Sequence, residues 1–421
     1  MRSPRALVAA PRQRATLRAS TIVVQSANAV GALAAFVLVT RNVSAPEFAI
    51  YSAMMAAYAI ANAAVGTAIG ISGMAGMSGD ADRRLSVQRA SGAAGAAFAL
   101  LVVAGVSFAA HAPLHVAFLA EVALVPWVAS EIAGAHALGV GRYRRYAIVH
   151  CARVGVWVVS CALGLAITPS SAHLDVALGS LALSAVVPVA YLFRERALVF
   201  GVAARRTVPV QALAMAQLGL WLAASADRAV FAHFDPRSAA LYAAIYGLLD
   251  RIYRTLANAS LWGALPTLFA RGDAAAERSS GIVRTVCVVA STAVLVAVTP
   301  PLVGSLTGGR YRPDYTLTAI LATALGLMLV ATPLYARALA TRRIWPIAFV
   351  AAGVGLANLI GNLFVIPRAG TIGAALVTLA TYAVWLASLS LFVRNSRALQ
   401  IDEPASAKRR LDAFRPQGAS R

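Results

Sequence analysis

Charge is the first thing this sequence has little of. Only 13% of its 421 residues are charged and only 16 are acidic, against about 25% charged in an average soluble chain. That leaves too little polar surface for a water-soluble fold. Cysteine is rarer still. Cys151, Cys161 and Cys287 all lie in apolar runs, none in a Cys-x-x-Cys or Cys/His spacing, so neither a disulfide framework nor a metal site is read. They read as small buried hydrophobes. No Ser/His/Asp arrangement, phosphate-cradling loop or nucleotide fingerprint occurs, so no enzymatic centre and no cofactor are expected. The Arg-rich amino terminus has no short apolar core with a cleavage site ahead of its first long apolar run, so no removable signal peptide is read.

What the chain has instead is apolar length. Sixty per cent of the residues are hydrophobic and the mean hydropathy is +0.73. A helix spanning the hydrocarbon core needs about 20 mostly apolar residues, because its backbone groups must be satisfied internally. Twelve stretches qualify: 17–40, 46–70, 90–110, 114–139, 146–168, 174–193, 210–234, 238–266, 281–304, 315–336, 344–366 and 370–393. The expected fold class is therefore all-α, a polytopic membrane protein of about twelve helices.

Basic residues exceed acidic ones, giving a formal charge of +21. Placing the amino terminus inside puts 28 of the 37 Lys and Arg on that side, in groups such as Arg83, Arg84 and Arg89, then Arg142, Arg144 and Arg145. The other side holds Arg41, Arg237, Arg310, Arg312 and Arg368. Such asymmetry sets an even number of crossings with both termini cytoplasmic, and it accounts for the charge without nucleic acid. The outer loops are short, so no soluble catalytic domain fits there.

The domain organisation follows. Residues 1–16 form a basic cytoplasmic terminus, 17–193 a first six-helix bundle, 194–209 a cytoplasmic linker and 210–394 a second six-helix bundle. The polar, basic, Pro-containing tail 395–421 reads as disordered near anionic headgroups. A weak echo supports two halves: Ala49-Ile50-Tyr51-Ser52-Ala53 and Ala240-Leu241-Tyr242-Ala243-Ala244 lie 191 residues apart. Parallel six-helix halves are a usual transporter plan, with the site between them.

Charged residues inside the hydrocarbon cost roughly 2.5–3.5 kcal/mol each on insertion scales, so each is a functional candidate. Asp227 and Arg228 fall in the seventh span. Asp250, Arg251, Arg254 and Asn258 fall in the eighth, the densest polar cluster, with Asp250, Arg254 and Asn258 on one helical face. Asp250 and Arg254 at i, i+4 can simply pair, and Arg251 then needs a partner. A spare arginine facing a cavity would suit a pyrophosphate, because its guanidinium offers fixed paired donors. In the first half stand Gln25 and Asn28, readable also as helix-packing glue, and Glu121 and Glu131. Either glutamate could carry a proton, and Glu131 could equally pair with Arg153. His150 reads as interfacial, near the inner end of its span. Pro126, Pro188, Pro266, Pro300, Pro301, Pro333 and Pro346 are candidate kinks.

Three stretches resemble polysaccharide-type flippases of the multidrug/oligosaccharidyl-lipid/polysaccharide (MOP) superfamily. They are the run Arg41 to Tyr51 (RNVSAPEFAIY), Ala226-Asp227-Arg228 with Ala239 to Tyr242, and Asn358 to Ala375 (NLIGNLFVIPRAGTIGAA). The last has an Asn, a short apolar stretch, Pro, Gly, then Gly-Ala-Ala. The resemblance covers nearly the whole chain. It implies a MATE/MOP-like fold and a bacterial inner-membrane transporter of the Wzx-like O-antigen branch. Such a protein moves undecaprenyl-pyrophosphate-linked oligosaccharide, an O-antigen, capsule or exopolysaccharide repeat unit, by alternating access, with polysaccharide polymerase machinery as a possible partner. On that reading Arg228, Arg251, Arg254, Asn258, Gln25 and Asn28 bind substrate, and Asp227, Asp250, Glu121 and Glu131 are the candidates for coupling to a proton or sodium gradient. Ala49 and Ala240 depart from the glycine the family often has before its tyrosines. Twelve spans, and first-half spans without the basic residues of the lipid II flippases, argue against that branch.

Two alternatives stand beside this. A small-molecule exporter is the first; Gly79-Asp80-Ala81-Asp82-Arg83-Arg84 faintly resembles a major-facilitator loop motif. A membrane polymerase or ligase is the second, and it lacks the outer loop such enzymes use.

Overall fold

A computed structural model describes residues 11–77, 85–87, 89–196, 198–200, 209–271, 281–311, 314–340 and 344–413; the Gly79-to-Arg84 string lies outside them. The chain is nearly all helix. In order come α1 (Pro11–Asn42), α2 (Ala45–Asn62), α3 (Ala68–Met77), α4 (Arg89–Ala109), α5 (Leu114–Gly139), α6 (Tyr143–Ile167), α7 (His173–Leu183) and α8 (Val186–Arg194). Then follow α9 (Val210–Phe234), α10 (Pro236–Arg271), α11 (Gly281–Leu306), α12 (Tyr315–Ala340) and α13 (Ile344–Ala413). The only strands among the described residues are β1 (Leu85–Val87) and β2 (Leu198–Phe200). They pair in parallel and tie the loop after α3 to the segment after α8.

Several helices join into single crossings. A π turn at Ala63–Thr67 links α2 to α3, and α7 and α8 together make the sixth span. The sixth breaks where Pro188 has no N–H for the Ser184 carbonyl and its ring crowds that turn; Ser184 and Ala185 form the turn instead. The other prolines expected as kinks leave their helices continuous, among them Pro300, Pro301 and Pro333. α13 reverses at Gly370, whose φ of 55° and ψ of −141° suit glycine. Its two arms run antiparallel, since Asn358 bonds Thr381 and Gly361 meets Val377. Past the second arm its helix runs on to Ala413.

These joins give twelve crossings among the described residues, and the chain is a multi-pass membrane protein. Eight helical stretches are long and apolar enough to cross, Ile344–Asn395 being long enough for two. α9 and α10, which carry the intramembrane charges, are not among the eight. The outer face is apolar as lipid requires: Phe108, Leu114, Ile167 and Phe193 are each at least 80% exposed. Cys287 belongs to that outer face and is exposed rather than buried; Cys161 is buried and Cys151 half-buried. A methyl-sized thiol is as compatible with lipid as with the interior.

Small residues set the closest packing. α9 crosses the first arm of α13 so tightly that a Cβ on Gly219 would lie 2.2 Å from the Ala351 carbonyl oxygen, and one on Gly355 2.2 Å from the Gly219 oxygen. Where lipid surrounds the helices, backbone approach of this kind supplies the packing that water would otherwise drive. α1 meets α6 in the same way, at Gly31 against Val154. At the start of α2 a complete capping box, Ser44 with Glu47, fixes the helix entry and the turn from α1.

Candidate functional site

The polar residues of α10 form a ladder facing α1 and α9. At its head Asp227 of α9 is fully buried, and its Oδ2 accepts a 2.6 Å bond from the Tyr242 hydroxyl. The neighbouring Arg228 turns back along α9 to donate to the Ala224 carbonyl and the Ser225 hydroxyl, and its guanidinium lies 4.9 Å from the centre of the Tyr246 ring. One helical turn along α10 from Tyr246, Asp250 accepts from Arg254 Nε through both oxygens, at 2.7 and 2.8 Å. The Arg254 guanidinium lies over the Trp221 ring, 3.8 Å from its centre. The i, i+4 pair expected from spacing therefore forms.

Arg251 is held differently. It donates to the Gly247 carbonyl at 2.9 Å and rests 5.0 Å from the centre of the Phe36 ring of α1. No carboxylate lies within ion-pair distance of it among the described residues; the adjacent Asp250 is engaged by Arg254 instead. The ladder thus sets three arginines against two aspartates. Arg228 Nε and one terminal nitrogen of Arg254 are buried without a hydrogen-bond partner, so donors for an anion remain.

Two cavities flank the ladder. One, of about 90 Å³, is lined by Gln217, Trp221, Arg254, Asn258, Tyr335 and Trp385 among others. The second, of about 50 Å³, lies among α1, α5, α6 and α10 and is lined by Gln25, Asn28, Glu131, Tyr146, His150 and Asn258. Asn258 belongs to both. The structure therefore brings Gln25, Asn28 and Glu131 together with the end of the α10 ladder. Glu121 stands apart, beside Tyr58 of α2, with Oε2 buried and unpartnered.

Two first-half readings change. Arg153 lies near Glu131 without forming an ion pair; it donates instead to Asn28 Oδ1 at 3.1 Å. His150 is not interfacial but 6% exposed, with its ring edge-on to Tyr146 at 4.8 Å and both ring nitrogens unpartnered. The cause is Gly134 on α5, where a Cβ would stand 2.6 Å from His150 Nε2: the missing side chain makes the room. The π turn also presses on this region, since a Cβ on Gly66 would meet Asn62 Oδ1 at 2.2 Å and Glu131 Cβ at 3.2 Å. π turns gather at functional sites.

Sequence reasoning missed the aromatic partners Phe36, Trp221, Tyr242 and Tyr246. A usable signal existed: Tyr242, Tyr246, Asp250, Arg254 and Asn258 recur every four residues, so an intramembrane charge has a ring or hydroxyl one turn away.

At the end of the molecule where α1 finishes, the first and last six spans are latched. Arg41 donates to the Leu306 and Ser305 carbonyls at 2.9 and 3.1 Å, while Arg310 donates to the carbonyls of Thr40 (2.8 Å) and Val43. Each arginine satisfies the open C-terminal carbonyls of the other's helix. Below them Phe48 meets Phe36 edge-on and Tyr311 at a tilt, each with ring centres 6.0 Å apart. Beside them His233 bonds the Ala109 carbonyl at 3.1 Å and lies 5.5 Å from the ring of His111. At the α9–α10 turn Asp235 caps α10 by accepting from the Ser238 N–H at 3.1 Å. Hydrogen bonding to Ser238 holds its carboxyl below the ordinary range.

Known structures share this architecture. A crystal structure of a MATE point mutant covers 94% of this chain and 99% of its own, with a TM-score of 0.60 and 12% identity. The chain has the MATE fold. A MOP-superfamily transporter from Pyrococcus furiosus overlays with a TM-score of 0.56 and 11% identity, covering 94% of this chain and 98% of its own. The lipid II flippase MurJ, in an inward closed conformation, does so with 0.57 and 12%, covering 90% and 87%. No known protein family and no curated protein matches the sequence.

Proposed function

We propose that this chain is a flippase-type transporter carrying a lipid-linked anionic oligosaccharide, of the undecaprenyl-pyrophosphate class, across the bacterial inner membrane by alternating access. Residues 17–193 and 210–394 are the two moving bundles, with the linker 194–209, the terminus 1–16 and the basic tail 395–421 on the cytoplasmic side. The observation that carries the reading is Arg251: an intramembrane guanidinium between α10 and α1 with no carboxylate partner among the described residues. Keeping an arginine there costs a few kcal/mol, which an anion would offset. Arg228 and Arg254, each with a spare buried donor, extend the anion site, and Asn258, Gln25 and Asn28 offer amides to the sugar end. Asp227, Asp250, Glu121 and Glu131 are the groups through which an ion gradient would act.

The fold shared with both MATE proteins and MurJ supports transport without choosing between cargoes. A second reading, export of a small molecule, is favoured by one feature: Arg254, which lines a small aromatic-walled cavity, is neutralised by Asp250.

Deletion of the gene, followed by extraction of undecaprenyl-linked saccharides and a test of which membrane face they occupy, separates the two. Accumulation on the cytoplasmic face, uncorrected by an Arg251→Gln variant that still inserts, is the expected result. Unchanged lipid-linked pools would instead favour the exporter, and accumulation on the outer face would point to polymerisation or ligation.

A further inference from the structure

A groove of about 610 Å³ runs along the outside of α1 and α6, away from the ladder. It is lined by Ala15, Thr16, Ala19, Ser20 and Val23 of α1 and by Arg144, Ala147 and Ile148 of α6. Its volume is that of a ligand site, and its wall is mostly small or apolar, so an extended hydrocarbon chain fits its chemistry. Among the described residues its single charge is Arg144, and the described surroundings leave that charge unbalanced. The flanking Arg142 and Arg145 both pair with Glu195, whereas Arg144 is exposed and has no ion pair among the described residues.

The same spot has a second source of positive potential. α6 starts at Tyr143 with no side-chain cap on its N-terminus and no acidic residue in its own first turn; Glu195 is shared between Arg142 and Arg145, so beside Arg144 the helix end keeps a net positive potential. An apolar furrow that ends at an unpaired arginine and an uncapped helix start matches one kind of molecule, an acyl chain carrying a phosphate.

We propose that this groove is a binding site for an anionic glycerophospholipid of the leaflet that meets the N-terminal end of α1. One acyl chain lies along the Ala15–Val23 face, and the phosphate sits between Arg144 and the α6 N-terminus. The bound lipid braces α1 against α6, the two helices that line the cavity of Gln25, Asn28, Tyr146 and His150 further along the same pair. This assignment does not depend on which cargo the protein carries.

The test is native mass spectrometry of the purified full-length protein with phosphatidylglycerol and phosphatidylcholine of identical chains. One surface arginine near anionic lipid corresponds to a preference of about five-fold. The expected result is that preference in the wild type, its loss in Arg144→Gln with total lipid bound unchanged, and weaker binding of both lipids in Ala19→Trp, which fills the furrow. Arg237→Gln, at the opposite end of the molecule, keeps the wild-type pattern. Equal binding of the two lipids by the wild type, or a preference that survives Arg144→Gln, would overturn the headgroup site. Full binding of both lipids by Ala19→Trp would overturn the furrow.

Discussion

The reciprocal arginine latch invites a quantitative test, because its four bonds can be removed without touching the membrane interior. Arg41 makes two bonds to backbone carbonyls of α11 and Arg310 makes two to the end of α1 and the turn beyond it. A charged hydrogen bond contributes roughly 1.5–3 kcal/mol when well buried, but both arginines reach solvent, which lowers each bond toward the surface-pair range of about 0.5–1 kcal/mol. Four bonds then favour the closed arrangement by about 2–4 kcal/mol, a population shift of roughly 30- to 900-fold. The Phe48–Tyr311 contact remains in the variant, so opening is partial rather than complete. The assay is pulsed EPR between spin labels at Pro113→Cys and Arg237→Cys, with Cys151, Cys161 and Cys287 replaced by alanine. Those labels sit on the α4–α5 and α9–α10 turns, next to His111 and His233, and so report the same end of the molecule without altering the latch. Arg41→Ala with Arg310→Ala should add a longer-distance population that the single variants show more weakly. An unchanged distance distribution in a double variant that melts like the parent would refute the latch as a determinant of closure.

Other expectations can be checked by thermal unfolding in detergent. Gly219→Ala should destabilise by about 1–3 kcal/mol through overpacking against the Ala351 carbonyl, whereas Gly353→Ala on the same arm of α13, with nothing within 4 Å, should be neutral or stabilising. Asp250→Asn should cost roughly 3–5 kcal/mol by stranding Arg254, and adding Arg254→Gln should recover much of it; additive losses would disprove the pairing. Asp235→Ala should cost about 1 kcal/mol at neutral pH. Because the folded-state pKa of Asp235 is depressed, its contribution is present above the unfolded value of about 3.9 and fades as pH falls below it; a pH-independent loss would exclude the carboxylate cap.

Hydropathy and the basic-residue asymmetry made the twelve crossings legible because lipid imposes one rule on every span: satisfy the backbone internally and keep arginine out. The i, i+4 pairing of Asp250 with Arg254 was legible for a similar reason, since helix geometry alone places those side chains together. What could not be read depended on contacts between helices far apart in sequence. Arg153 read as a partner for Glu131 alone, and the α1–α6 crossing at Gly31 and Val154 brings it to Asn28 instead. His150 read as interfacial because its depth was judged along its own helix, while its burial is decided by a glycine on α5. Pro188 breaks its helix and Pro333 does not, so the presence of a proline alone does not tell a break from a continuous span.

The placement of charge along α10 suggests how the intramembrane cost is kept bearable. From Asp250 to Arg254 each charged side chain answers one a turn away or an aromatic ring on another helix: Asp250 holds Arg254, Trp221 covers Arg254, and Phe36 covers Arg251. A ring face offers a guanidinium attraction without fixing its hydrogen-bond donors, whereas a carboxylate would occupy them. Arg251 on Phe36 is therefore stabilised yet still able to donate, while Arg254 is largely committed to Asp250. The difference makes Arg251 the more available of the two to an incoming anion. Phe36 also contacts Phe48 beneath the latch, so the ring that supports Arg251 is part of the closed end of the molecule. Opening that end would move Phe36, and with it the environment of Arg251, which gives a direct physical route from the state of the latch to the strength of the proposed anion site.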